Sequence, residues 1–337
     1  MSAIAAAVST LAAEIAGVTA AWGKRVTIDP HRVLDRSEML LPLAPPGLRS
    51  PSGSCGLMPA ADGWIAANLA RRTDWDMIPA WLGIDGADLD WETVENKVAQ
   101  MDRQELIQQA RLLGLPVAAV AEMEADRPDP LLIQHGHSGN VRARLSVVDL
   151  SALWAGPLCG GILAAAGAFV TKVESKSRPD TTRVATPALH RRLNGEKKDL
   201  CLAFDDPHDV AVLRRMMIEA DMVITSARPR AFDSLGLSPQ HIFERNPTLT
   251  WVAISGYGWL GEDSDRVAFG DDAAAAGGLV QWTPERAPHF AGDAIADPLT
   301  GMAAALGALK SVRQGGGYIV DAALARTAAG VAAMMSA

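Results

Sequence analysis

A carboxylate in an apolar run, a few glycine turns and a scatter of cations are the parts of this sequence that could do chemistry. Asp297 follows Ala294-Ile295-Ala296 and precedes Pro298. Aspartate before a proline at the first helical position is a common helix start, so the shape of the segment alone reads as an N-cap. A carboxylate can also take up an acyl group, because its anhydride stays activated toward a second acceptor, provided a dry pocket keeps water away. The two roles are compatible, since a helix N-terminus stabilises a carboxylate. Gly256 to Gly258 and Gly277-Gly278 offer backbone N–H groups to a developing oxyanion, with plain turns as the alternative. Lys172, Lys176, Arg178, Arg183, Lys197, Lys198, Arg228 and Arg230 fall near predicted strand ends or helix starts. Phosphates are held by Arg forks and Lys point charges, although each of these residues alone reads as a solvated cation. His135 and His137 alternate in a glycine-rich loop with no acidic or cysteine partner nearby, so no metal site is expected.

Two stretches of different character must position these residues. Residues 1–125 read as a small α+β domain. Ala3 to Ala21 has the dense Ala, Leu and Ile of a packed helix, and the segment after it is interrupted by prolines from Pro30 to Pro51. Asp62-Gly63 predicts a tight turn into a strand at Trp64–Leu69, and Asp102 with Glu105 predicts a helix start that Gly114 ends. Residues 126–140 are polar and rich in Pro, Gly and His, the composition of a linker. From 141 to 337 the pattern alternates. Strands are expected at 145–150, 169–173, 200–204, 222–225 and 249–254, with helices at 157–168 and 207–220. That order predicts an α/β fold with an open, Rossmann-like parallel sheet, whose ligands sit at the carboxyl ends of the strands. No GxGxxG follows the first strand and no GxxxxGK[ST] occurs, which argues against dinucleotide-dependent and P-loop enzymes.

The bulk numbers narrow the function classes. A length of 337 residues with 49% hydrophobic and 21% charged residues suits a globular protein with a sizeable core. A formal net charge of −8 argues against a nucleic-acid partner and requires any anionic ligand to find a local cluster of cations. Cys55, Cys159 and Cys201 are widely spaced, which fits a reducing cytoplasm better than a disulfide framework. Met1 to Ala21 lacks a basic segment before its apolar stretch and reads as a helix and not as a signal peptide, and no uncharged run is long enough to span a membrane.

An ordered series of blocks then carries a resemblance. It begins with Val148-Asp149-Leu150-Ser151-Ala152-Leu153-Trp154-Ala155-Gly156-Pro157 and continues with Gly167-Ala168-Phe169-Val170-Thr171-Lys172-Val173-Glu174. Asp180-Thr181-Thr182-Arg183, Asn194-Gly195-Glu196-Lys197-Lys198-Asp199-Leu200, Ala227-Arg228-Pro229-Arg230 and Leu235-Gly236-Leu237 come next. Asn246-Pro247, Ile254-Ser255-Gly256-Tyr257-Gly258, Gly292-Asp293-Ala294-Ile295-Ala296-Asp297 and Gly315-Gly316-Gly317-Tyr318-Ile319-Val320-Asp321-Ala322 complete it. From about 148 to 335 the chain resembles the family III CoA transferases, a group that includes formyl-CoA transferases, carnitine CoA-transferases and α-methylacyl-CoA racemases. Residues 1–125 resemble the same family's small domain, with Asp62-Gly63-Trp64-Ile65, Asp102-Arg103-Gln104-Glu105-Leu106 and Gly114-Leu115-Pro116-Val117 as matching segments. The domain order is thus reversed, as in a circular permutation or a piece of a duplicated protein.

The resemblance implies transfer of CoA from an acyl-CoA to a carboxylic acid through a covalent intermediate on Asp297. Gly256 and Gly278 are then the candidate oxyanion donors. Lys172, Glu174, Arg183, Asn194, Lys197 and Arg228 are the candidate coenzyme A contacts. Coenzyme A is a co-substrate and no tightly bound cofactor is expected. A homodimer is expected as well, although the reversed order bears on the interlocked ring that the family forms. Trp154 stands where family members vary; it either walls an acyl pocket or packs in the core. The racemase branch uses a His where this chain has Ala268-Phe269-Gly270-Asp271-Asp272-Ala273, so transfer is favoured over racemisation, with an α-methylacyl-CoA racemase or epimerase and a non-catalytic CoA-binding subunit as the alternatives.

Overall fold

The computed structural model describes residues 3–37, 43–86, 89–140, 142 and 144–336; the expected domain ends at Met1, Val141 and Ala337 lie outside them. In chain order the strands are β1 (Cys55–Ala60), β2 (Gly63–Asn68), β3 (Val117–Ala119), β4 (Leu131–Gln134), β5 (Ser146–Asp149) and β6 (Phe169–Ser175). They continue with β7 (Lys198–Leu202), β8 (Met222–Thr225), β9 (Thr250–Ser255), β10 (Val280–Trp282), β11 (Pro288–Phe290) and β12 (Tyr318–Ala323). The chain divides into two compact units, each made of separate segments. One comprises Met1–Leu40, Asp129–Ser264 and Pro298–Ala323, and the other Leu41–Pro128, Asp265–Asp297 and Leu324–Ala337. This differs from a cut at 126–140 between contiguous domains. Helix Ala3–Ala20 belongs to the unit that holds the large sheet. The expected linker also supplies β4, which pairs antiparallel with β12. The polar flanks marked the segment as a linker, but its short apolar run Leu131-Leu132-Ile133 forms an edge strand.

The first unit is built on the open parallel sheet. Among the described residues its order is β4-β12-β9-β8-β5-β6-β7, and every pair but β4–β12 is parallel. The expected strands are present with ends shifted by a few residues; β12 was not among them. β5, β8 and β9 carry apolar centres (Val147-Val148, Met222-Val223-Ile224 and Trp251-Val252-Ala253-Ile254), as the strands of a sheet covered on both faces do. Val148, Val223, Trp251, Ala253 and Ile319 join Phe232, Leu237 and Trp259 in one buried cluster. Trp251 and Phe232 meet edge to face at 5.4 Å, and the Trp251 indole N–H donates to Thr225 Oγ1 at 3.1 Å. The bulky apolar body is thereby buried without leaving its polar end unpaired.

The second unit has its own core. β1, β2 and β3 form an antiparallel sheet, and β10 pairs with β11. Ala61 and Asp62 turn the chain between β1 and β2, and Gly63 follows at φ +151°. Trp81 is fully buried, with its indole N–H donating to the Leu106 carbonyl at 2.9 Å. Asp102 does precede helix Arg103–Leu113, and Gly114 ends it in the left-handed conformation at φ +68°. The Asp102 side chain makes no capping bond, however. Asp62, brought in by the β1–β2 turn, accepts the Arg103 N–H at 2.8 Å instead. Sequence spacing identifies a local cap and cannot see one arriving from 41 residues away. Among the described residues no helix is long and apolar enough to cross a membrane.

Asp62→Ala is expected to lower the melting temperature by a few degrees, whereas Asp102→Ala leaves it nearly unchanged. Thermal denaturation of both variants checks this.

Candidate functional site

In the first unit the strand order turns at β5. From there the chain runs through β6 and β7 to one side and through β8, β9 and β12 to the other. The crevice at the carboxyl ends of β5 and β8 is where an open parallel sheet accommodates a ligand. The loop leaving β5 is tied across this point: the Ala152 N–H donates to Ser226 Oγ at 3.0 Å, just past β8. Leu153 is held at φ +70° and stays 39% exposed, an unusual state for a branched apolar residue. Such strain costs on the order of 1–3 kcal/mol and persists only where the surroundings enforce it. Here the enforcement includes a bond from the Leu153 N–H to Asp180 Oδ2 at 3.2 Å. Trp154 next to it is buried, with Arg36 stacked on its ring at 4.8 Å and its indole N–H unpaired.

Beneath this loop Lys172, Glu174, Arg183, Asn194 and Lys197, candidate coenzyme A contacts, are brought together, but as internal braces. Lys197 is buried and donates to Asp149 Oδ2 at 2.7 Å, the Pro157 carbonyl at 2.7 Å and Asn194 Oδ1 at 2.8 Å. Those acceptors use all the protons of an ammonium group. Asn194 in turn donates to the His190 carbonyl at 3.1 Å. Burial raises the Asp149 carboxyl, but Lys197 and Lys172 outweigh it and hold the group below its usual range. Gly160 permits the pair: a Cβ there would lie 2.6 Å from Asp149 Oδ2 and 2.9 Å from Lys197 Nζ. Lys172 is fully buried on the Ser151 carbonyl and Asp180 Oδ2. Glu174 accepts from the Asp180 N–H and from Arg183, which also reaches Asp199 at 2.8 Å. Burial raises the Glu174 carboxyl, yet the Arg183 bonds keep it low. The polar ends of Lys172, Glu174, Asn194 and Lys197 are therefore buried on protein partners and not offered to a phosphate.

Glu174, Asp180 and His190 place ligand-type atoms within 4.8 Å of one another. Their carboxylate oxygens already face the Arg183 guanidinium and the Lys172 ammonium, which fill the place of a metal cation. Other cations lie at the carboxyl edge of the sheet. Lys176 and Arg178 follow β6 and are exposed, and Arg228 sits at the start of helix Pro229–Ser234 after β8. Gly256 follows β9 directly, and the Gly258 N–H is occupied by Ser255 Oγ at 3.0 Å.

Asp297 lies in the second unit, at the first turn of the 18-residue helix Ala296–Arg313. The helix starts one residue before it, so Asp297 sits inside the first turn and not at the cap. It is half-buried between Ala296 and Pro298, both buried. Its N–H donates to the Ala294 carbonyl at 3.0 Å. Its carboxylate rests against Gly270, where a Cβ would come within 2.5 Å of Asp297 Oδ2. Gly278 has φ +73°, and its N–H is bound to the Ala275 carbonyl at 2.9 Å. It is a turn glycine behind helix Gly270–Ala276, with no amide to offer an oxyanion.

Two neighbouring acids were legible only as a pair of carboxylates before an alanine run. Asp271 Oδ1 accepts the Ala294 N–H at 2.7 Å. Asp272 is fully buried, and its Oδ1 accepts from Asn68 Nδ2 at 3.1 Å and from the Phe269 N–H at 2.9 Å. Asp272 Oδ2 and Asn68 Oδ1 are both buried acceptors without a partner. A proton on Asp272 Oδ2 turns one of them into a donor. Burial, and secondarily the Asp271 charge, push the Asp272 carboxyl well above the usual range in the same direction.

With this geometry in view, comparison with known proteins is informative. A family model described as CoA-transferase family III matches residues 143–337. The succinyl-CoA–D-citramalate CoA-transferase of Chloroflexus aurantiacus is 34% identical over 192 residues, which cover 52% of this chain and 47% of that protein. The succinyl-CoA:glutarate CoA-transferase of Homo sapiens is 28% identical over 190 residues, covering 52% and 43%. The crystal structure of a CAIB/BAIF family protein from Brucella suis aligns with a TM-score of 0.50 at 30% identity, covering 56% of this chain and 54% of that one. The chain spans about half the length of the curated relatives it matches.

Lys197→Met leaves Asp149 buried without its partner and is expected to destabilise the first unit by about 3–5 kcal/mol, most of it recovered when Asp149→Leu is added. Urea denaturation of the single and double variants checks this. The Asp272 carboxyl holds its proton more tightly in the folded than in the unfolded chain. Stability therefore falls as pH rises above the ordinary carboxylate range of about 4, until the folded group itself ionises. Asp272→Asn, which mimics the protonated acid, is expected to flatten that slope as pH rises above the ordinary carboxylate range. Melting temperatures across the range decide the point.

Proposed function

The chain belongs to CoA-transferase family III, and on that premise we propose that it moves CoA from an acyl-CoA to a carboxylic acid by acylation of Asp297. The observation that carries the reading is the Asp297 carboxylate itself, half-buried at the start of a long helix and seated against the bare Cα of Gly270. An Asp297 oxygen attacks the thioester carbonyl, the C–S bond breaks, and CoA leaves as thiolate with a mixed anhydride formed. The thiolate then attacks the Asp297 carboxyl carbon, releasing the donor acid and leaving an aspartyl thioester. An acceptor carboxylate attacks that thioester and expels the thiolate again. Thiolate attack on the acceptor's acyl carbon gives the product acyl-CoA and restores Asp297. Overall one thioester is exchanged for another of similar energy, so the site must exclude water more than it must drive the reaction.

Coenzyme A is a co-substrate in this reading. Its phosphates are assigned to the exposed Lys176 and Arg178 and to Arg228, at the carboxyl edge of the sheet. Lys172, Glu174, Asn194 and Lys197 serve by holding the β5 loop, and Arg183 by anchoring Glu174. The reading includes a homodimer in the cytoplasm, and the free state of Cys55, Cys159 and Cys201 favours a reducing compartment.

Intact mass after incubation with a panel of acyl-CoAs is expected to show an acyl or CoA adduct on the wild type and none on Asp297→Ala. If neither protein gains mass while CoA still binds, the nucleophile assignment falls and a CoA-binding subunit takes its place. Deuterium wash-in at the α-carbon without an adduct would instead favour the racemase reading.

A further inference from the structure

The backbone that presents Asp297 is bent in a way its own residues do not favour. Ala294 sits at φ +46°, the left-handed region, although it carries a Cβ. Alanine reaches that region only when neighbouring bonds hold it there. Two such bonds flank it. Its N–H donates to Asp271 Oδ1 at 2.7 Å, a short bond to an acid that is itself 97% buried. Its carbonyl accepts the Asp297 N–H at 3.0 Å. The residue before Asp271 completes the seat: a Cβ on Gly270 would stand 2.5 Å from Asp297 Oδ2 and 2.5 Å from the Ala294 oxygen. One short segment, Gly270-Asp271, thus touches both the bent peptide and the carboxylate that hangs from it.

We infer that Asp271 is a positioning residue for Asp297: by holding the Ala294 peptide in its left-handed turn, it aims the Asp297 carboxylate over the open face of Gly270. This rests on the reading of Asp297 as the acylated residue. Asp271 does not touch substrate in this account. It supplies a fixed acceptor, and a carboxylate accepts an N–H bond more strongly than a neutral group does. Without the acceptor the Ala294 backbone relaxes toward ordinary φ values and carries Asp297 with it. Misplacement by a fraction of an ångström to an ångström is enough to cost a nucleophile much of its rate.

Three variants of the full chain test this: Asp271→Ala, Asp271→Asn and Gly270→Ala. Single-turnover adduct formation is followed by intact mass with a donor that labels the wild type, alongside CoA affinity and the melting temperature. Asp271→Ala is expected to slow labelling about tenfold or more with CoA affinity within about twofold, because aim is lost and binding is not. Asp271→Asn, which keeps an oxygen acceptor at the same place, is expected to recover most of the rate. Gly270→Ala is expected to slow labelling by crowding the carboxylate. Hydrogen exchange at the Ala294 amide supplies a readout that needs no turnover: protected in the wild type and in Asp271→Asn, unprotected in Asp271→Ala. Wild-type labelling by Asp271→Ala overturns the inference, as does an Asp271→Asn variant no better than alanine. If no donor labels the wild type, the assignment of Asp297 falls separately. The exchange experiment still decides the positioning, and an unprotected Ala294 amide in the wild type sinks it.

Discussion

The first unit depends on a buried charge pair. Lys197 and Asp149 meet at 2.7 Å with no solvent exposure, where an unpaired charge would be costly. Each is used to the full: Lys197 also binds a helix carbonyl and Asn194, while Asp149 takes the Ser151 N–H and hydroxyl. A second buried pair, Lys172 with Asp180, grips the Ser151 carbonyl and the Leu153 N–H. Together they fix both ends of a short loop at the point where the strand order turns. An apolar core would pack more cheaply there, but it would not dictate the direction of individual peptide groups. Hydrogen-bonded charges do, and a strained residue such as Leu153 needs that kind of restraint.

The second unit solves a similar problem around Asp297. Asp271 and Asp272 hold backbone N–H groups, and Asn68 reaches Asp272 from β2. Two adjacent buried acids cannot both remain charged at little cost. Their partners differ: Asp271 accepts the Ala294 N–H, while Asp272 keeps one carboxylate oxygen buried without a partner. Small side chains matter as much as charged ones. Gly270 has no Cβ because the carboxylate and a carbonyl occupy that space.

Roles were harder to read than identities. Lys172, Asn194 and Lys197 stand in blocks shared with a CoA-handling family, and a cation in such a block invites a phosphate. Their burial could not be read from the sequence, since Lys in an alternating α/β pattern is ordinarily exposed. Gly278 failed as an oxyanion donor for a comparable reason: a glycine with φ near +70° looks the same in sequence whether its N–H is free or bonded to Ala275. The Asp62 cap on helix Arg103–Leu113 required a partner from a distant hairpin, which no local motif announces.

What the sequence determined by itself was whatever is local and repetitive. The apolar strands at 222–225 and 249–254, the helix at 207–220, the glycine stop at Gly114 and the Asp-Gly turn arise from periodicity and backbone sterics, and these act over a few residues. The ordered blocks from Val148 to Ala322 also sufficed to point to the family. Tertiary structure alone decided which segments form each unit, that β4 joins a sheet edge, and which polar groups are spent internally. Hydrogen bonds over 48 and 204 residues, such as Lys197 to Asp149 and Asn68 to Asp272, arise only when the folded chain brings those positions together. The physical reason is burial: once water is gone each donor must find an acceptor nearby, and proximity in space is what sequence spacing does not record.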